Sequence, residues 1–520
     1  MSGQKDNSTK TISIVMVITL LGKVLGLLRD RLLAVNYGTG MAANAFYTAS
    51  RIPRVFFDAV FASAIAACFI PVFSEHLTRH GKEKAMRFAG TFLTIMTILT
   101  AVLSVVGMAG SGALVNLFAD GYDAKTTQLA VRLTQIMFPT VLFTGIAFSF
   151  VGILQSLDEF NIPALISTIS NLVIIGYFVL CNERFDIYGL AIAFLVGWFL
   201  QAAVQIPTLR RRGFRYYPGF NCRSEGMKKV FALMLPVMVS TWVQPINLTI
   251  NSRFGSHLYN GAGVSAIEIS TNLYLIVAGV FVLSVTNVIF PKLSRQTAQG
   301  EADAFRDTLR QTVHSTLFFV LPMSAGLVTL ARPLVSFIYG GGEFDAFSVD
   351  ITASGLVWVS LGMVGYAVQN ILSRAYFAKQ DGCTPLLAGA ASIAINLILC
   401  IVLTDRLQVA GLAIASAVSS TVYALFLLLP LERQGRIFNA RFWLDMGNMF
   451  LATILMALAV FALGRWLTPL LPGGKLGELL LLGLCAGVGV AVYFAAAALL
   501  RLPEVQPLRR LAARFLKRGN

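Results

Sequence analysis

The feature that most constrains this chain is a succession of apolar runs, each about 20 residues long, joined by short polar connections. A helix rising about 1.5 Å per residue needs roughly that length to cross the hydrocarbon of a bilayer. Lipid offers no hydrogen-bond partners, so each run must satisfy its own backbone, and a helix does so. Fourteen runs can be marked: 11–35, 45–73, 88–108, 129–155, 162–181, 188–209, 229–252, 268–290, 312–331, 350–373, 384–404, 409–431, 444–468 and 476–500. The fold class expected is therefore an all-α polytopic membrane protein of about 14 transmembrane helices.

Composition agrees. Only 13% of the 520 residues are charged and 56% are hydrophobic, whereas soluble domains carry about 25% charge. So little polar material could not cover a water-facing surface. The net charge of +16 is dispersed in short clusters between the runs, with no basic domain. That distribution suits membrane lipids as the partner and not nucleic acid. Lys and Arg concentrate in 79–87, 210–229, 292–310, 433–441 and beyond 501. The bias of basic residues toward the cytoplasm places these connections inside, and an even number of spans puts both termini there. The tail residues Arg509, Arg510, Arg514, Lys517 and Arg518 are expected near anionic headgroups. The first run is expected to be retained as a helix, because charged residues follow it without a small-residue cleavage site.

The six cysteines (Cys68, Cys181, Cys222, Cys383, Cys400 and Cys485) form no close pair and mostly lie in apolar runs. They are read as small hydrophobes, with no disulfide framework or zinc site.

A repeat is visible. Gly189-Leu190-Ala191-Ile192-Ala193 opens the sixth span and returns as Gly411-Leu412-Ala413-Ile414-Ala415 at the twelfth. Phe69-Ile70-Pro71 closes the second span, and Ile289-Phe290-Pro291 closes the eighth. Two echoes at nearly one offset predict duplication of a six-helix unit, giving two parallel lobes with a cavity between them. The expected boundaries are 1–220 for spans one to six, 221–440 for seven to twelve, and 441–520 for two further helices and the basic tail.

Charges inside the runs are the candidates for chemistry, since each costs roughly 2.5–3.5 kcal/mol at mid-membrane on insertion scales. The first span holds Lys23, Arg29, Asp30 and Arg31. Lys23 and Arg29, six residues apart, point about 120° away from each other around a helix. They either line a hydrated cavity or snorkel to headgroups. Arg54 and Asp58 lie four apart and can pair. Gln244, Asn247, Asn251, Glu268, Asn272, Gln369, Asn370 and Asn396 either line a cavity or bond between helices, while Arg374 is read as an inner-end topology residue. No nucleophile–base pair or metal-ligand spacing stands out. His76 and His80 lack the intervening Glu of a metalloprotease helix, and Gly340-Gly341-Gly342-Glu343 follows no strand. A transporter without a cofactor is expected, not an enzyme.

The run Lys23-Val24-Leu25-Gly26-Leu27-Leu28-Arg29-Asp30, with Tyr37-Gly38-Thr39-Gly40-Met41, Arg51-Ile52-Pro53 and Phe69-Ile70-Pro71-Val72-Phe73-Ser74, resembles the N-terminal signature of the MurJ (MviN) lipid II flippases. These belong to the multidrug/oligosaccharidyl-lipid/polysaccharide exporter superfamily. Ala375–Asp381 with Thr384-Pro385 is similar to the family's inner loop between spans ten and eleven. The resemblance implies a bacterial inner-membrane flippase that moves undecaprenyl-pyrophosphate-linked peptidoglycan precursor (lipid II) outward by alternating access, with coupling to a cation gradient or the membrane potential. It implies substrate contacts at Lys23, Arg29 and Asp30, with Arg54 in place of a missing cation. It also marks departures: Asn44 stands where the family has an acid, and Asn272 where it has a cation. The acidic positions linked to cation binding fall at Asn251 and Cys400, with Asn396 beside the latter. A flippase for another polyprenyl-linked glycan, or a cation-coupled small-molecule exporter of the same superfamily, is the alternative.

Overall fold

The structure, a computed structural model, describes residues 2–57, 65–221, 223–232 and 242–505. Asp58, and with it the proposed Arg54–Asp58 pair, Cys222 and the five basic tail residues lie outside the described residues. Among the described residues the architecture is helical, and the one β-bridge, Gly341 to Phe344, closes a tight turn.

Ten helical segments are long and apolar enough to cross a membrane. An eleventh is a bent pair, Ala346–Leu361 and Met363–Ala378, which meet at 46°. These match eleven of the fourteen expected runs. The other three are the first, which lies in the continuous helix Ser2–Tyr37, and the second and seventh, which include residues outside the description. Of the second, Met41–Phe57 is α-helical, Ile65–Phe69 is a π-turn, and Ile70–Arg79 continues as α-helix with Pro71 in its first turn. Proline is tolerated there because the first N–H groups of a helix have no intrahelical acceptor. The break falls at Gly362, where the chain passes close to a neighbouring backbone: a Cβ there would lie 2.6 Å from Ala417 Cα.

The chain clusters into two compact units, 1–265 and 266–520. Each contains a helical hairpin built on the same plan. In the first, Asn161–Leu180 packs on Asn182–Ala203; in the second, Cys383–Leu407 packs on Val409–Arg433. Pro163 and Pro385 occupy the same place near the start of the leading helix. Asp186 (φ 46°, ψ −149°) and Gln408 (φ 54°, ψ −132°) share a backbone conformation that glycine adopts far more readily than other residues. Three residues later come Gly189 and Gly411, the glycines of the sequence repeat. A Cβ would sit 2.6 Å from the Tyr177 hydroxyl at Gly189 and 2.6 Å from the Leu403 carbonyl at Gly411. The repeat is thus one hairpin turn used twice, with glycine where the returning helix touches its partner.

Apolar cores fill each unit. In the first, Phe69 stacks on Phe92 with ring centroids 4.3 Å apart and on Phe73 and Phe88 at 5.4 and 5.7 Å. His76 stacks on Phe88 at 4.6 Å, a packing role. In the second, Phe318, Met449, Met456 and Tyr493 join Ala302–Thr329 to the last hairpin, Ala440–Leu467 with Lys475–Leu499. That hairpin leaves Leu444, Leu458, Phe461 and Leu476 exposed, as a lipid-facing surface requires.

Candidate functional site

The opening helix carries the charges singled out by sequence, and the structure fixes one of them firmly. Arg29 donates from Nε and Nη2 to Asp30 Oδ1 at 2.9 and 2.7 Å, and from Nη1 to Asn171 Oδ1 at 3.0 Å. Asn171, buried in Asn161–Leu180, also donates to the Gly22 carbonyl at 3.0 Å. One amide therefore grips the opening helix at two levels, on either side of Lys23 and Gly26. Gly22 permits the approach, since a Cβ there would lie 3.0 Å from Ser167 Oγ. Lys23 itself is exposed and makes no ion pair among the described residues. Arg29 keeps 31% of its side-chain surface and Asp30 16%. The result is a fixed, half-solvated guanidinium–carboxylate pair with a free ammonium six residues away on the same helix. Nothing in the spacing of residues 23–30 announces Asn171, which is 142 positions from Arg29.

A second polar cluster forms in the same unit. Asn44 is 1% exposed and both halves of its amide are used. Nδ2 donates to the Thr39 carbonyl at 2.8 Å, while Oδ1 accepts from the Ser265 amide at 3.3 Å and from the Ser265 hydroxyl. Tyr122 Oη donates to the Asn44 carbonyl at 3.0 Å and lies 2.8 Å from Thr48 Oγ1. Burial holds the Tyr122 phenol well above its ordinary range, so it stays protonated. Gly261 (φ 95°) makes room: a Cβ would meet the Tyr122 ring at 2.8 Å. Arg51, which the sequence offered only within a motif, is 4% exposed and donates to the Leu248 carbonyl at 3.2 Å. Arg54, the cation singled out beforehand, is exposed.

The edge of this cluster is ionic. Asp120 accepts from Arg253 Nη2 at 2.6 Å and lies 3.0 Å from His257 Nε2, while the Gly121 amide donates to Ser256 Oγ at 3.0 Å. Burial pushes the Asp120 carboxyl up, but hydrogen bonds from His257 and Arg253 outweigh it and hold the acid below its usual range. Together these contacts fasten Val243–Ser256 and the turn 257–265 to the helix Met41–Phe57 and the 119–123 connection.

The remaining sequence candidates are dispersed. Asn272 donates to Glu268 Oε1 at 3.5 Å within Ala262–Ala298. Asn251 is buried in Val243–Ser256, and Asn396 and Cys400 are buried one turn apart on Cys383–Leu407. Asn370 bonds back to the Tyr366 carbonyl at 2.8 Å, and Arg374 lies over the Phe290 ring at 5.7 Å.

Many spanning helices, a hairpin repeated in both units, and buried polar contacts on a charged opening helix define a polytopic α-helical membrane protein. Solved structures with this fold include a lipid II flippase MurJ in an inward closed conformation, with a TM-score of 0.77 and 24% identity over 93% of this chain and 98% of that one. Another is an inward-facing multidrug resistance MATE family transporter of the MOP superfamily, with a TM-score of 0.66 and 13% identity over 82% of this chain and 98% of that one. At that identity the likeness is one of fold.

The family is shown by sequence: the model for the lipid II flippase MurJ matches residues 33–475, and this chain belongs to that family. Relatives include the lipid II flippase MurJ of Burkholderia cenocepacia, 29% identical over 88% of this chain and 90% of that protein. The probable lipid II flippase MurJ of Vibrio cholerae is 28% identical over 93% and 94%.

Proposed function

We propose that this chain moves lipid II, the undecaprenyl-pyrophosphate-linked peptidoglycan precursor, from the inner to the outer leaflet of a bacterial inner membrane. The observation that carries the reading is the family match over residues 33–475. The opening helix supplies a physical rationale. A pyrophosphate is multiply anionic and crosses hydrocarbon only where fixed cations offset its desolvation. Lys23 is exposed for such a contact. Arg29 is oriented by Asn171 and Asp30, so less side-chain entropy is lost when it binds. Both termini are cytoplasmic in this reading, and the lipid tail stays in the bilayer while the headgroup crosses.

Replacement of the essential lipid II flippase in a conditional strain tests it. Growth, with lipid II becoming accessible to an outer-leaflet label, is the expected result. Failure to label despite normal protein levels would overturn it. Asn44 and Asn272, uncharged where the family resemblance implies charge, favour one second reading: a different polyprenyl-linked glycan as cargo. In that case depletion of this chain alters a surface polymer and spares peptidoglycan.

A further inference from the structure

We propose that the cavity between three connections of the second unit, 299–301, 379–382 and 434–439, binds a phosphate-bearing anion held by Arg306 and Lys379.

The connections follow Ala262–Ala298, Met363–Ala378 and Val409–Arg433 and meet at one end of the unit, which is cytoplasmic in the orientation proposed above. Between them lies a cavity of about 220 Å³. Pockets for drug-sized ligands run to roughly 300–1,000 Å³, so this one suits a single small group. Its lining carries two cations, Arg306 and Lys379, against one carboxylate, Glu301. Glu301 is exposed and makes no ion pair with either cation among the described residues.

Lys379 belongs to the segment Ala375–Asp381 with Thr384-Pro385, which stood out in the sequence. Tyr376, Asp381 and Thr384 of that segment have structural work. Tyr376 Oη donates to the Leu427 carbonyl at 2.8 Å. Asp381 Oδ1 accepts from the Cys383 and Thr384 amides at 2.9 and 3.0 Å, and Oδ2 accepts from the Thr384 hydroxyl at 2.6 Å. Lys379 lines the cavity instead. Its Nζ lies 5.1 Å from the centre of the Phe305 ring and donates to Gln434 Oε1 at 3.0 Å. Burial, and after it the Arg306 charge, hold the ammonium below its ordinary value, with Asp381 opposing them.

Arg306 rests where a side chain is missing. At Gly435 a Cβ would lie 2.8 Å from the guanidinium carbon, so glycine lets the group lie on the backbone. Its Nη1 donates to Asp303 Oδ1 at 2.9 Å, but the Asp303 side chain is 95% exposed and the pair contributes little. A guanidinium has five N–H donors and an ammonium has three. The hydrogen bonds above engage one of each, which leaves N–H groups of both cations for a ligand. A tetrahedral oxyanion presents acceptors in several directions and can join cations from two chain segments. A carboxylate's two oxygens share one plane and suit a single guanidinium. A bound phosphate would relieve the repulsion between Lys379 and Arg306 and tie the three connections together. A soluble phosphate and a lipid headgroup share this chemistry.

The experiment pulses the full chain, in phosphatidylcholine nanodiscs, with an amine-acetylating reagent. Peptide mass spectrometry then compares Lys379 with the exposed Lys84. One arm adds inorganic phosphate, with acetate at equal ionic strength as its reference. The other arm replaces part of the lipid with phosphatidylglycerol. At about ten times Kd the anion should slow acetylation of Lys379 about tenfold and leave Lys84 unchanged. Slowing by phosphate in the phosphatidylcholine discs assigns the site to a soluble anion. Slowing only with phosphatidylglycerol assigns it to a headgroup. Arg306→Gln should abolish the protection in whichever arm shows it. Absence of selective protection at Lys379 in both arms of the parent would overturn the proposal without recourse to the variant. So would acetate protecting as well as phosphate, or protection that survives Arg306→Gln.

Discussion

Arg29 and Asn171, 142 residues apart, are joined by a 3.0 Å hydrogen bond that ties the opening helix to the fifth expected span. The same amide holds the Gly22 carbonyl, so one side chain sets both the rotation of the helix and the direction of its guanidinium. Asn171→Ala should leave both groups without this partner and lower stability by about 1–3 kcal/mol. Asn171→Asp keeps the acceptor for Arg29 and loses the donor to Gly22. Thermal denaturation in detergent should place it between the parent and the alanine variant.

If cations of the opening helix meet a phosphorylated headgroup, Lys23→Ala and Arg29→Ala should each abolish complementation in a flippase-depleted strain, at normal membrane levels of the protein. Lys23→Arg should retain it, since the charge is kept. Immunoblots and growth curves check this together.

The family resemblance implies an acid where Asn44 stands, and the geometry gives a reason for the amide. Its Nδ2 donates to the Thr39 carbonyl at 2.8 Å; a carboxylate would set an oxygen against that carbonyl. Asn44→Asp should therefore destabilise the chain by about 1–3 kcal/mol despite near-identical shape. Comparison of melting temperatures for Asn44→Asp and the parent is the measurement, and equal values would contradict the hydrogen-bond assignment.

The Asp120 contact with Arg253 and His257 carries a pH dependence. The folded carboxyl is held below its ordinary range, with burial opposing and the two hydrogen bonds prevailing. Its contribution is fully present above the unfolded value of about 3.9 and is lost as pH falls through the folded one. Asp120→Asn should flatten the acid side of a plot of melting temperature against pH and leave the neutral region's slope unchanged. The pair is partly exposed, so added salt should weaken it.

The hairpin turns give a paired prediction. Gln408 and Asp186 adopt positive φ, where glycine is less strained. Gln408→Gly should stabilise the second unit by about 1–2 kcal/mol. Gly411→Ala should do the reverse by about 1–3 kcal/mol, because its Cβ would meet the Leu403 carbonyl at 2.6 Å. Matched substitutions at Asp186 and Gly189 should follow the same signs. Unfolding curves on the four variants test the repeat as a physical statement.

How much of this was legible beforehand divides along physical lines. The spans were, because a bilayer demands long apolar helices and the chain writes each one as a continuous run; eleven reappear at the expected places. The repeat was legible at Gly189 and Gly411, because close helix contact restricts residue type locally. The sequence also showed that Lys23, Arg29 and Asp30 are costly residues that need an environment. It did not reveal that Asn171 provides part of that environment for Arg29. Nor did it show that Arg51 and not Arg54 is buried, or that Asn44 is locked between Thr39 and Ser265. Those facts depend on which helices meet and at what rotation. Side-chain partners more than a hundred residues apart leave no periodic signal, so the tertiary structure alone decided them.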